Sequence, residues 1–132
     1  MFEHPQSASS WRKIPALRRL WGADGVVEAV GHMCAFGMTA TDADGEGPVL
    51  KPTRFITNIS EIAGILARRC SGCERHVRLV SGRAKGAQVY PAGLVDAILD
   101  GLEIHMARQC GRGGGWIGRR RTRAKASTIQ SG

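Results

Sequence analysis

The chain has 132 residues, of which 42% are hydrophobic, 23% charged and 5% aromatic. That length suits one domain with a modest core, because domains cluster at about 100–150 residues. No apolar run approaches the roughly 20 residues that span a bilayer, and Glu3, His4 and Pro5 stand where a signal peptide has its apolar segment. The sequence therefore predicts an intracellular protein, cytoplasmic or nuclear, with no membrane partner.

The net charge of +8 is concentrated near the C-terminus. Residues 111–132 hold six basic residues and no acidic one, so the preceding part of the chain carries only +2. The same segment is rich in glycine, and its composition cannot bury enough apolar surface to offset chain entropy. The sequence thus predicts a partial α/β domain at 1–110 and a disordered, basic, Gly/Arg-rich tail at 111–132.

The N-terminal part contains one predicted helix and one predicted strand. Pro15 can open a helix, and apolar residues recur at helical spacing as far as Trp21. This pattern predicts an amphipathic helix at 12–21, with Trp11 packed on its apolar side. The β-branched run that follows predicts a buried strand at 26–31.

The middle of the chain alternates between loop, strand and helix. Residues 39–48 are acidic and contain glycine without apolar periodicity, which predicts a loop. A short strand is predicted at 54–57. A helix is predicted at 60–69, with Ser60 as its cap and two arginines whose charges suit its C-terminal end.

The last predicted elements lead up to the tail. Alternating residues at 77–80 predict a short strand, and the basic residues 81–86 predict a flexible loop. Pro91 opens the longest predicted helix, at 91–108, which has one apolar and one acidic face. Together these elements predict an α/β fold, a small incomplete unit of three-layer type with about three short strands and three helices.

Three residues near the middle of the chain have the spacing of metal ligands. Cys70 and Cys73 flank a pair that includes Gly72, so two thiolates can hold one tetrahedral zinc ion through a tight turn, with His76 as a third ligand. The alternatives are ordinary reduced loop thiols with no cofactor, or a redox-active Cys-x-x-Cys pair. A structural zinc site needs a fourth ligand, and the candidates are Cys34, Cys110, His32 and His105.

The arginine-rich tail is the predicted contact for nucleic acid. Its charges can neutralise several phosphates and give salt-sensitive, sequence-independent binding, and the indole of Trp116 can stack on a base. The alternative is a solvated tail with no partner. The residues concerned are Arg112, Trp116, Arg119, Arg120, Arg121, Arg123 and Lys125.

No catalytic motif is present in the sequence. Phosphate-cradling and dinucleotide-binding glycine patterns are absent, and the glycine run at 111–115 is typical of a linker. Serine hydrolase and metalloprotease signatures are absent as well. Asp42, Asp44 and Glu46 lie in a predicted loop, where solvation accounts for them. The chain is therefore predicted not to be an enzyme.

Four stretches of the chain stand in a recognisable order. Their order and spacing resemble a segment of retroelement polyproteins, and that segment is similar to the later half of a cytosine-specific DNA methyltransferase fold. The resemblance covers about residues 1–106. The stretches are Phe2-Glu3-His4-Pro5 with Ser7–Trp11, then Met33–Met38, then Lys51–Asn58, then Arg75-His76 leading to Tyr90-Pro91.

The resemblance implies a role for Glu3 as the glutamate that contacts the target base, and structural positions near the substrate strands for Cys34–Gly37 and Lys51–Thr53. It also implies that the chain begins inside the domain, because the family's Pro-Cys nucleophile and S-adenosylmethionine loop precede this element; His4 replaces the usual asparagine. Covalent catalysis requires both missing parts. The favoured hypothesis is a non-enzymatic remnant of a retroelement-derived, methyltransferase-like domain. The alternative is a nucleic-acid-binding module that acts through the tail, with or without zinc.

Overall fold

The computed structural model describes residues 1–80 and 89–112. This part of the chain is a mixed α/β unit, as the sequence predicts, with five strands in two small antiparallel sheets and four α-helices. The elements in chain order are β1 (Phe2–Pro5), α1 (Ser10–Lys13), α2 (Pro15–Trp21), β2 (Val27–His32), a 3₁₀ helix (Met33–Phe36), β3 (Thr39–Asp42), β4 (Gly45–Pro48), β5 (Pro52–Thr57), α3 (Ser60–Leu66) and α4 (Ala92–Arg112).

β5 is the central strand of the larger sheet, with β1 and β2 as its antiparallel neighbours. Successive side chains of a strand point to opposite faces, so Arg54 and Phe55 face opposite sides of the sheet. Phe55 is fully buried in a core that includes residues of α3 and α4. Arg54 lies instead against Trp11 and Trp21. The sheet is therefore covered on both faces, which makes three layers.

The helix predicted at 12–21 is two helices, α1 and α2, which are separated by Ile14. Ile14 has φ −94° and ψ 111°, the extended conformation that a following proline favours because its ring clashes with a helical predecessor. Pro15 then opens α2. The break lets Trp11, which is 1% exposed, pack edge to face on Trp21.

Residues 39–48, which were predicted to form a loop, form the hairpin of β3 and β4. The Asp44 N–H donates to Asp42 Oδ1 at 2.9 Å, and Gly45 follows with φ 103°, so the turn residues define the hairpin. The prediction was wrong because most residues of both strands are at least partly exposed. Apolar periodicity does not mark such strands.

Helix α3 begins at Ser60 and ends at Leu66, earlier than predicted. Ser60 is its first residue and not its cap, because Ile59 occupies the cap position without a side-chain cap bond. After the helix the Arg68 carbonyl accepts the His32 N–H at 2.8 Å. The chain thus leaves the helix to contact the end of β2.

The strand predicted at 77–80 is not formed. Val77 donates its N–H to the Pro48 carbonyl at 2.8 Å, and its side chain is 2% exposed. The alternating pattern therefore reflects one buried residue and no paired strand. α4, in contrast, is longer than predicted and ends at Arg112, inside the segment predicted as tail.

Part of the predicted organisation lies outside the described residues. The loop at 81–86 and the tail beyond residue 112 belong to that part. Their predicted flexibility and the predicted domain boundary at residue 110 stay predictions. Among the described helices, none combines the length and the apolar character needed to cross a membrane.

A carboxylate joins α3 to α4. Glu61 Oε2 lies 3.0 Å from His105 Nδ1, and Glu61 Oε1 accepts from Arg108 Nη1 at 3.0 Å. The Glu61 side chain is 11% exposed. Its own backbone N–H, then His105 and Arg108, hydrogen-bond the carboxylate and lower the pKa of Glu61 from 4.5 to about 2.

This lowered pKa predicts a loss of stability in acid. The folded chain favours the ionised form of Glu61, so its contribution is complete above pH 4.5 and is lost as the pH falls towards 2. We expect urea denaturation at pH 5 to show wild type as more stable than Glu61→Gln. The difference in free energy of unfolding should shrink as the pH is lowered to 2. A difference that stays constant over this range would contradict the assigned contact.

Candidate metal centre

Four side chains that can ligate a metal meet on one side of the core. Their ligand atoms, three sulfurs and one imidazole nitrogen, all lie within 4.8 Å of one another. All four side chains are partly buried. This group, the Cys/His cluster, consists of Cys34, Cys70, Cys73 and His76.

Cys34 reaches the cluster on the 3₁₀ helix that directly follows β2. Its neighbours Met33 and Phe36 are 1% and 3% exposed and belong to the core, so they hold the turn against the sheet. The Met33 N–H also donates to the Leu50 carbonyl at 2.8 Å. Gly37 closes the turn with φ 86°, a left-handed conformation that glycine adopts without strain. Cys34 is therefore positioned by core packing.

Cys70 and Cys73 are the two ends of a tight turn. Gly72 has φ 103°, which suits glycine, and this conformation turns two backbone N–H groups towards one sulfur. The N–H groups of Gly72 and Cys73 donate to Cys70 Sγ, each at 3.5 Å. These bonds, that of Cys73 first, lower the pKa of Cys70 from 9.0 to about 6. The backbone of the turn thus stabilises the Cys70 thiolate without a metal ion.

The pKa values of the other two thiols, Cys34 and Cys73, are raised. Burial, followed by hydrogen bonding with Cys70, raises the pKa of Cys34 to about 11. The Cys70 hydrogen bond also raises the pKa of Cys73. Three close thiolates repel one another, so only one of them ionises readily without a cation. A divalent metal ion would remove this conflict, because its charge would compensate the additional thiolates.

The dimensions of the cluster suit tetrahedral coordination. Zinc bonds of about 2.3 Å to sulfur and 2.0–2.1 Å to nitrogen imply ligand separations of about 3.8 Å between sulfurs and about 3.5 Å between sulfur and nitrogen. Cys70 Sγ already lies 3.4 Å from His76 Nε2. The largest separation in the cluster is 4.8 Å, so closure around an ion requires movements of only about 1 Å.

His32 supports the cluster from outside. Its Nδ1 accepts the Cys70 N–H at 2.9 Å, which fixes where the Cys70 backbone begins the turn. Burial first, and then the positive charge of Arg69, lowers the pKa of His32. A neutral imidazole can accept this hydrogen bond, whereas a protonated one cannot. His32, one of the candidates for fourth ligand, is thus a positioning residue and not a member of the cluster.

Replacing this acceptor tests its role. We expect His32→Ala to weaken binding of a divalent metal about tenfold, because supporting groups around metal ligands typically contribute 10- to 100-fold to affinity. Competition with a chromophoric chelator measures the change. His105→Ala is the matched control, since His105 contacts Glu61 and lies outside the cluster. Equal affinities of the two variants would rule out the positioning role.

We call the residues between Cys70 and Val77 the ligand segment. Arg75 holds the end of this segment that lies farther along the chain. Its guanidinium pairs with Asp42 Oδ2 at 2.9 Å and donates to the Gly45 carbonyl at 3.0 Å. The neighbouring Val77 N–H bonds to β4 through Pro48. The residues between Cys70 and Val77 are therefore tied to β2 at one end and to the β3–β4 hairpin at the other.

The structure brings together all three residues that the sequence singled out as metal ligands. Of the four candidates for the remaining ligand, Cys34 joins them. Cys110 lies on α4 outside the cluster. The arginine-rich residues predicted to contact nucleic acid lie beyond the described side chains. Glu3, implied by resemblance to contact a base, lies on β1 and is not in the cluster.

Comparison with protein-family models, curated protein sequences and solved structures gives no match for this chain.

Proposed function

We propose that the chain is a zinc-binding module in which the Cys/His cluster holds one structural Zn²⁺ ion. The observation that carries this proposal is the convergence of three thiols and one imidazole within 4.8 Å, although Cys34 is far from the other three in sequence. Thiolate and imidazole are the ligands that select zinc among the common divalent ions. Four protein ligands leave no open coordination position, so the ion has a structural role.

The architecture explains what such an ion would stabilise. The ligand segment between Cys70 and Val77 contains no helix or strand. A hydrogen bond to β2 holds one end, and Arg75 and the Val77 N–H hold the other end against the β3–β4 hairpin. Zinc would join this segment to the 3₁₀ helix and thereby to the core. Small domains with few large side chains commonly need such a link, because their core alone gives little stability.

Metal content and coordination test the proposal. The chain is purified under reducing conditions, analysed for bound metal, and titrated with Co²⁺ after metal removal. We expect one equivalent of zinc per chain, and cobalt spectra with thiolate charge-transfer bands and the intense visible absorption of tetrahedral sites. Cys34→Ser and Cys73→Ser should weaken these bands, whereas Cys110→Ser should not. Less than about half an equivalent of metal in the unmodified chain contradicts the proposal.

We further propose that the chain has no catalysis of its own and derives from a retroelement segment. The order of the four stretches from Phe2 to Pro91 supports this origin, and none of the four cysteines in the sequence follows a proline, as the nucleophile of the family does. Calorimetric titration with S-adenosylmethionine should give no binding heat. Binding at micromolar affinity would overturn this second proposal and leave the zinc proposal intact.

A further inference from the structure

A shallow cavity, largely open to solvent, lies between α1 and α2. Its volume is about 350 Å³, within the range of roughly 300–1,000 Å³ that is usual for ligand sites. It shares no residue with the Cys/His cluster. The lining residues are Trp11, Arg12, Arg18, Trp21 and Gly22.

The floor of the cavity is aromatic and firmly held. The indole N–H of Trp11 donates to the Pro5 carbonyl at 2.9 Å, and its ring packs on Trp21 with centroids 5.6 Å apart. The Arg54 guanidinium lies 4.3 Å from the Trp21 ring centroid and is paired with Glu28 at 3.4 Å. Trp21 is only partly buried. It is therefore a supported ring with surface left for a ligand to contact.

The rim of the cavity is cationic. Arg12 from α1 and Arg18 from α2 line it, and both are exposed. Lys13 and Arg19 stand beside them, and residues 10–22 contain no acidic side chain. In the part of the chain that the structure describes, no carboxylate pairs with any of these four cations. The rim therefore favours an anionic ligand.

We propose that this cavity binds single-stranded nucleic acid, with one base against Trp21 and phosphates at Arg12 and Arg18. Aromatic rings flanked by cations are the combination that holds unpaired strands, because every base has a face that can stack and every linkage carries a charge. A duplex fits less well, since its phosphates can meet the arginines but its bases stack on one another and are not free to contact the ring. Arg12 and Arg18 stand on two separate helices, and a nucleic-acid strand offers a phosphate to each, whereas a free phosphate offers only one.

This inference does not depend on the zinc proposal, and it assigns contacts to α1 and α2 in addition to those predicted for residues 111–132. Fluorescence anisotropy with a labelled oligothymidylate measures binding to the full chain at several salt concentrations. We expect Arg12→Gln combined with Arg18→Gln to weaken binding about tenfold at low salt. Loss of two phosphate contacts should also reduce the slope of log affinity against log salt by about 1.4.

Two further variants separate the cavity from the tail. Trp21→Leu keeps an apolar side chain but removes the stacking surface, and we expect it to weaken binding about tenfold with an unchanged salt slope. Arg119→Gln combined with Arg120→Gln removes the same charge from the tail. If that pair weakens binding while the Arg12 and Arg18 pair does not, the tail alone binds the strand and the proposal is overturned.

The ligand is tested in the same assay. A labelled duplex of equal length should bind at least tenfold more weakly than the single strand, and thymidine monophosphate should compete only weakly. Equal affinity for the duplex overturns the assignment of an unpaired base. Competition by the mononucleotide as strong as that by the oligonucleotide identifies a free nucleotide as the ligand and overturns the single-strand proposal. Circular dichroism confirms that each variant is folded.

Discussion

Chelation of the proposed zinc ion is expected to lower the free energy of unfolding by about 4 kcal/mol, relative to chain with free zinc a thousandfold above its Kd. The proposed site is complete only in the folded arrangement, because Cys34 meets the other three ligands through tertiary packing. Binding energy at such a site becomes folding energy. Urea denaturation followed by circular dichroism, with and without chelator, measures the difference.

The loss of stability on chelation should appear first around the ligand segment and only later in the whole chain. Hydrogen exchange is expected to accelerate first at the N–H groups of Gly72, Cys73 and Val77, whose partners lie in or beside the ligand segment. The N–H groups of β5 should keep their protection until the whole chain unfolds.

Cysteine variants serve as controls for this effect. Cys34→Ser should be less stable than wild type and should respond less to chelator, whereas Cys110→Ser should respond as wild type does. Unfolding curves of wild type that coincide with and without chelator would show that the cluster does not contribute to folding through a metal.

Gly31→Ala is expected to destabilise the fold by about 2 kcal/mol, because there is no room for a methyl group where β2 meets the end of α3. A Cβ at this position would lie 2.5 Å from the Leu66 carbonyl oxygen and 3.0 Å from the Phe36 ring. The first of these is backbone, and the Phe36 ring is 3% exposed, so neither can move cheaply. Thermal denaturation of the variant measures the cost.

The same substitution in α3 is the matched control. Gly64 is exposed, and a Cβ there meets nothing within 4 Å. Gly64→Ala is expected to stabilise the chain by about 0.5–1 kcal/mol, since alanine has the higher helix propensity. If Gly31→Ala were tolerated as well as Gly64→Ala, the close contact of β2 with α3 would be wrong.

The two proposed sites use the two faces of one sheet. Phe55 of β5 faces the core that includes Phe36 and Met33, whose turn carries Cys34. The adjacent Arg54 points to the other face, where its guanidinium lies over the ring of Trp21, a residue that lines the cavity. A metal ion on one side of the sheet and a nucleic-acid strand on the other therefore need not compete for side chains. Measuring oligonucleotide affinity with and without chelator tests whether the two sites are coupled.

Several features follow from the sequence alone. Strands at 26–31 and 54–57 and helices near 60–69 and 91–108 have counterparts in the structure within a few residues. The local candidate ligands Cys70, Cys73 and His76 are brought together as predicted. These features share one cause: each depends on residues a few positions apart, whose relative geometry the backbone largely fixes by itself.

Only the tertiary structure decided the rest. The spacing of the sequence left Cys34, Cys110, His32 and His105 as equal candidates for the fourth ligand. Core packing brings the turn of Cys34 to the cluster and places the other three elsewhere. The β3–β4 hairpin and the cavity beside Trp21 were missed for the same reason. Exposed strands and surface cavities arise from contacts between distant segments, and such contacts leave no periodic pattern along the chain.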